Sequence, residues 1–187
     1  MLLPFLSILA ATSYRPTDFL VDLTKKSAAA KTIVINVTIK EQPDLPEMVG
    51  QKLTIAIDRS KNRFCAKNTE GSIAIGYDGK EITLKLKGQE MKRTVESGMS
   101  PYAAFPGFEA FLDAEKSKWK VAKDPSKKEV TLTTELDSFT KTIKLTFAED
   151  GTLTGYTNTN GTRLADRFDV TSIKFDVPVT DADLKMP

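Results

Sequence analysis

The sequence predicts an α+β domain built on a strongly curved antiparallel sheet, an unclosed β-barrel of roughly eight to eleven strands with short helices over its concave side. Three observations lead there. Runs in which apolar and polar residues alternate recur along most of the chain. Turn pairs such as Asp78-Gly79, Asp150-Gly151 and Asn160-Gly161 punctuate them. Helical spacing occurs in two places only, so the strands form a meander and not a β-α-β alternation.

Pro16, Thr17 and Asp18 ahead of Phe19, Leu20, Val21 and Leu23 read as a helix start, and the helix is expected to run to Ala28–Ala30. From Thr32 the period becomes two, with Ile33, Ile35, Val37 and Ile39 on one strand face. Pro43, Pro46 and Gly50 mark the loop that follows. Leu53/Ile55/Ile57, Ile73/Ile75/Tyr77, Ile82/Leu84/Leu86 and a segment from Glu90 to Val95 continue the strands. Ser100-Pro101 then supplies an N-cap and a first-turn proline. Tyr102, Phe105, Phe108, Phe111 and Leu112 follow at nearly helical spacing, with Pro106 and Gly107 favouring two short helices or one broken helix over a single long one. Strands resume at Trp119/Val121, Val130/Leu132 and Ile143/Leu145/Phe147, with 124–128 as a long hairpin loop between the first two. They end with Leu153–Tyr156, Phe168/Val170 and Ile173/Phe175/Val177. One strand face is rich in Thr and Lys and is expected to meet water; the other needs the helices as cover.

With 187 residues the chain suits one domain, 17–187, behind an apolar segment, 1–16. Met1 to Ala11 has the composition of the apolar part of a secretory signal, although no Lys or Arg precedes Arg15. The expected address is therefore periplasmic or otherwise extracytoplasmic. Lys and Arg number 27 against 25 Asp and Glu, a balance that argues against a nucleic-acid partner. The chain has no histidine, which removes Ser-His-Asp, Cys-His and His-ligated metal chemistry. Its one cysteine, Cys65, reads as a small buried hydrophobe. The pairs Glu109/Asp113 and Asp181/Asp183 lack a compact metal-ligand spacing and read as solvated charges. No catalytic residue, metal or cofactor is expected, and binding is favoured over catalysis.

Three stretches resemble the LolA/LolB lipoprotein-carrier superfamily, of which the chain looks like a divergent member. Ile57-Asp58-Arg59-Ser60 with Arg63-Phe64 is similar to that family's strand ending in Arg-Pro, with Ser60 in the proline's place. Ile75-Gly76-Tyr77-Asp78-Gly79-Lys80 resembles its Asp-Gly hairpin. Phe175 to Pro187 is similar to its closing strand and tail, with Leu184 where the family often has Phe. The resemblance implies a half-barrel whose apolar concavity is covered by helices. It also implies a latch role for Arg59, hydrogen-bonding the helical lid and holding it closed.

Phe19, Leu23, Tyr102, Phe105, Phe108, Phe111 and Leu112 are the candidates to line an apolar cavity under that lid; the same spacing also suits plain core packing. The expected function is carriage of a lipid or of lipoprotein acyl chains, by a monomer that meets a membrane-associated protein partner. The alternative is a non-enzymatic sensor or scaffold domain with a filled core that binds a protein. A cavity above about 300 Å³ favours carriage, and a packed core with an exposed apolar patch favours protein binding.

Overall fold

A computed structural model describes residues 16–97, 99–114, 119–121, 128–136 and 139–187. The apolar run Met1–Ala11 and most of the expected 124–128 loop lie outside the described residues.

Helix α1 (Pro16–Ala29) leads into β1 (Thr32–Glu41), whose buried positions alternate one for one with partly exposed ones through Ile39. Then come β2 (Lys52–Asp58), β3 (Arg63–Asn68), β4 (Ile73–Tyr77), β5 (Glu81–Leu86) and β6 (Gln89–Thr94). A 3₁₀ turn (Pro101–Ala104) and helix α2 (Pro106–Leu112) interrupt them, as the Pro106-Gly107 break requires. The Ser100 hydroxyl accepts the Tyr102 amide, the N-cap bond expected there. β7 (Lys120–Val121), β8 (Glu129–Leu136), β9 (Phe139–Phe147), β10 (Leu153–Asn160) and β11 (Arg163–Phe175) complete the chain. The last strand ends at Phe175 and leaves Val177 outside it, because Asp176 turns the backbone into the left-handed region at φ 52°.

The eleven strands of the described residues form one antiparallel sheet in the order β6-β5-β4-β3-β2-β1-β11-β10-β9-β8-β7. The first and last strands therefore meet at its centre, with Ile33 opposite Phe175 and Ile39 opposite Phe168. Aromatic side chains bridge distant strands across the helix-covered face. Phe64 on β3 and Tyr156 on β10 are joined through Phe105 and Phe108 by ring-centroid steps of 5.7, 6.4 and 5.1 Å.

The outer face departs from the sequence expectation. Instead of meeting water over β2–β4, it is covered by the segment 177–187. The Lys67 ammonium donates to the carbonyls of Ala182 (2.7 Å) and Lys185 (3.1 Å), and the Lys85 ammonium donates to that of Pro187 (2.7 Å). Met186 lies over Gly76, where a Cβ would come within 2.5 Å of its Sδ, so glycine is what lets the segment approach. Ala56, Cys65 and Ala74 are buried beneath it. Burial pushes the Cys65 thiol above its ordinary value, which agrees with an inert packing role.

Candidate functional site

The turn after β2 is built by one carboxylate. Asp58, buried at 5% exposure, accepts the Ser60 amide (3.0 Å), the Ser60 hydroxyl (2.6 Å) and the Lys61 amide (3.2 Å). Ser60 contributes both its backbone N–H and its hydroxyl to that carboxylate, and a proline at this position could supply neither. The Ser60 hydroxyl bond is the main force holding the Asp58 carboxyl below its ordinary 3.8, with the Lys61 amide and ammonium adding to it. A depressed folded-state pKa means the unfolded chain binds the extra proton, so this stabilisation is full above pH ~4 and fades as pH falls through the lower folded value. Asp58→Ala is expected to cost about 2 kcal/mol at neutral pH. In chemical denaturation from pH 7 downward, wild type should lose stability toward the variant only below pH ~4; a constant gap to acid pH would contradict this account.

That turn aims Arg59. Its backbone N–H donates to the Lys31 carbonyl (2.9 Å), and its guanidinium reaches across the end of the helical layer. One terminal nitrogen donates to the Ser27 hydroxyl on α1 (2.9 Å) and to the Leu112 carbonyl at the end of α2 (2.7 Å). The guanidinium carbon stands 6.0 Å from the Tyr102 ring centroid, a cation–π distance. Arg59 thus ties both helices to the sheet, and a cation on the last carbonyl of a helix is the favourable sign. Its Nε is buried with no hydrogen-bond partner among the described residues.

The other candidates fall into two groups. Phe105, Phe108, Phe111 and Leu112 fill the space between α2 and the sheet, at 4%, 0%, 1% and 3% exposure. Phe108 packs against Phe111 (5.8 Å) and Tyr156 (5.1 Å). Tyr102, partly buried, stacks on Phe64 at 5.6 Å and borders a polar cleft of about 420 Å³ with Arg59 and Asp113. Phe19 and Leu23 lie elsewhere. They wall a cleft of about 740 Å³ between α1, the β9–β10 turn and the end of β11, floored by Leu153, Ile173 and Phe175. Asp22, Lys26, Lys128 and Glu149 supply its polar lining. The β9–β10 turn closes on Phe19 at Gly151 (φ 82°), where a Cβ would lie 2.7 Å from the Phe19 ring.

Sequence reasoning missed a polar group on the helix-covered face. The Asn158 amide donates to Asp166 Oδ2 (2.9 Å), while Asn158 Oδ1 and Asp166 Oδ1 are buried with no partner among the described residues. Burial pushes the Asp166 carboxyl up and the nearby Lys141 ammonium down. The Trp119 indole donates to Glu109 on α2 (3.1 Å), and Lys141 stands 6.0 Å from the Trp119 ring centroid. No local spacing signals this group, because β9, β10 and β11 bring it together only through their pairing.

No protein-family model and no curated protein matches the sequence. Solved structures resemble the chain in three dimensions. An uncharacterized conserved protein from Thermus thermophilus is 11% identical over 91% of this chain and 93% of its own, with a TM-score of 0.47. The Mycobacterium tuberculosis lipoprotein LppX is 13% identical over 88% and 95%, with a TM-score of 0.43. A LolA superfamily protein from Nitrosomonas europaea is 10% identical over 92% and 98%, with a TM-score of 0.42. At these identities and TM-scores the likenesses assign neither ligand nor role.

Proposed function

We propose that the chain is an extracytoplasmic binding protein that carries a lipid, or the acyl chains of a lipoprotein, in an apolar interior closed by α2. The observation that carries the reading is the Arg59 tie: one side chain joins α1, the end of α2 and the sheet at the rim of an interior lined by aromatic rings. A second support is the cleft of about 740 Å³ beside α1, where apolar Phe19, Leu23, Leu153, Ile173 and Phe175 alternate with charged Asp22, Lys26, Lys128 and Glu149, in the volume range of small-molecule sites. Phe19 and Leu23 serve as its wall, and Tyr102, Phe105, Phe108, Phe111 and Leu112 as the surface that a chain meets once α2 lifts.

The energetics permit this. Breaking two hydrogen bonds from a charged donor costs about 3–6 kcal/mol. About ten buried methylenes return roughly 8 kcal/mol, more than those two bonds cost, and a polar ligand offers no such return. The chemistry is reversible burial and asks for no catalytic group or cofactor. Release falls to lid closure or to a membrane-associated protein with higher affinity. The extracytoplasmic address rests on the apolar start of the chain. Among the described residues no helix is long and apolar enough to cross a membrane.

Native mass spectra test the reading, recorded beside an organic extract on protein purified without detergent from the periplasm of a Gram-negative host. Bound acyl-chain mass that extraction removes is the expected result. A spectrum of protein alone, unchanged after incubation with phospholipid vesicles, would sink it and favour the filled-core alternative, which the packing of Phe105, Phe108 and Phe111 suits as it stands. Arg59→Leu should release a fluorescent fatty-acid analogue roughly 10- to 100-fold faster in stopped flow. Unchanged release kinetics would remove Arg59 as the latch while leaving carriage intact.

A further inference from the structure

Beyond β4, among the described residues, the helix-covered face continues without α-helices. Ala66, Ile75, Leu84 and Met91 stand opposite one another across β3, β4, β5 and β6. Burial falls along that row: Ala66 is 1% exposed, Ile75 and Leu84 are intermediate, and Met91 is 59% exposed. Every residue of β6 is exposed, and among the described residues β6 ends the sheet. An open edge with an apolar row at its margin invites a further strand.

The phase of the edge is fixed. The two-residue turn Lys87-Gly88 takes positive φ at both positions (50° and 80°), and the Val95 amide bonds the Lys80 carbonyl at 3.0 Å. Residues 89, 91, 93 and 95 therefore turn their backbone groups toward β5, and Glu90, Lys92 and Thr94 turn theirs outward. Only a partner strand whose outward residues meet these three can complete the ladder.

Glu90 and Lys92 share a face and form an ion pair of 3.0 Å. Set antiparallel to itself in phase, β6 has few registers. One places Glu90 opposite Glu90, and another places Lys92 opposite Lys92 with Met91 opposite Arg93. Both set like charges face to face, which is destabilising. The register centred on Met91 sets Glu90 opposite Lys92 twice, Met91 opposite Met91 and Gln89 opposite Arg93. It pairs every charge with an opposite or neutral side chain and continues the apolar row into the second copy.

We infer that β6 pairs antiparallel with β6 of a second copy of this chain, centred on Met91, so that two eleven-stranded sheets join about a two-fold axis. The contact is isologous and closed, so it caps the edge without building a filament. It departs from the monomer expected from sequence and is independent of what the interior binds.

Sedimentation velocity on the full chain tests the inference. A six-residue strand pair is a small interface, so a reversible dimer with Kd on the order of 100 µM is expected. Glu90→Lys and Lys92→Glu each set like charges opposite one another and should weaken self-association at least about tenfold. Mixing these two variants should restore a dimer, because one edge then carries two cations and the other two anions. Met91→Cys should form a disulfide-linked dimer under mild oxidation, since residues facing each other in a non-hydrogen-bonded pair stand ~4.5 Å apart at Cα, within reach of the bond. These are exposed positions where folding should shift by no more than about 0.5 kcal/mol, checked by thermal melts. A wild type that stays monomeric at about 1 mM, well above the expected Kd, would overturn the inference. So would charge variants that associate like wild type, or that fail to pair when mixed.

Discussion

Phe108→Ala is expected to remove about 3–5 kcal/mol of stability, a large share of the 5–15 kcal/mol typical of a domain. Phe108 is fully buried, and its ring meets three others: Phe105 at 6.4 Å, Phe111 at 5.8 Å and Tyr156 at 5.1 Å. Phe105 and Phe111 belong to the same helical segment and Tyr156 to β10, so the ring fastens α2 to the sheet. Truncation removes both transfer free energy and the edge-to-face contacts with Phe111 and Tyr156. The cavity collapses poorly, because Tyr156 is held from behind by Phe168, stacked at 4.8 Å. Guanidinium denaturation reads the loss directly. A cost under about 1 kcal/mol would mean that the interior under α2 is loosely filled. That result would strengthen carriage at the expense of a filled core.

What the sequence revealed and what it hid divide along a physical line. Elements with one buried face were legible. β1 alternates because the helices lie over one side and not the other, and α1 and the broken α2 segment announce themselves through proline placement and apolar spacing. β3 was not legible. Arg63–Asn68 is buried at four of six positions, and Phe64, Cys65 and Ala66 in succession, because helices cover one face and residues 177–187 the other. Two-sided burial erases the period that marks a strand. The polar outer face was misjudged for the same reason, since nothing in the spacing of Lys67 and Lys85 shows that they reach the carbonyls of a distant segment.

The candidate site divides in the same way. Arg59 was singled out by a short motif, but its partners Ser27 and the Leu112 carbonyl lie 32 and 53 residues away, and one of them is backbone. Local pattern cannot supply such pairs. The stripe from Tyr102 to Leu112 was read correctly as one face of a broken helix. Spacing alone left open which side chains would fill the core. The structure places Phe105, Phe108, Phe111 and Leu112 in the buried layer under α2, Tyr102 at the rim of one cleft, and partly buried Phe19 with buried Leu23 along another.

Gly107→Ala should both destabilise the chain and loosen its helical cover. A Cβ at Gly107 would lie 2.4 Å from Tyr156 Cγ and 2.6 Å from both neighbouring ring carbons, closer than side-chain contacts tolerate. In an exposed helix alanine would gain about 1 kcal/mol over glycine. Here that gain is outweighed, because the obstacle is a fully buried ring fixed between Phe108 and Phe168 and not the end of a flexible chain. The seven-residue α2 has less to hold it than β10, which is bonded on both sides, so α2 is the element that moves. Overpacking of this kind costs about 2–3 kcal/mol. Lifting α2 should also expose the rings of Phe105 and Phe108, and the variant should bind an apolar fluorescent dye more strongly than wild type while still folded. Tyr156→Leu in the same chain relieves the contact, so the double variant should be less destabilised than the sum of the two single changes. Strict additivity, with unchanged dye binding, would show that the helix absorbs the methyl without moving. Gly107 would then have no part in setting how tightly α2 closes over the interior.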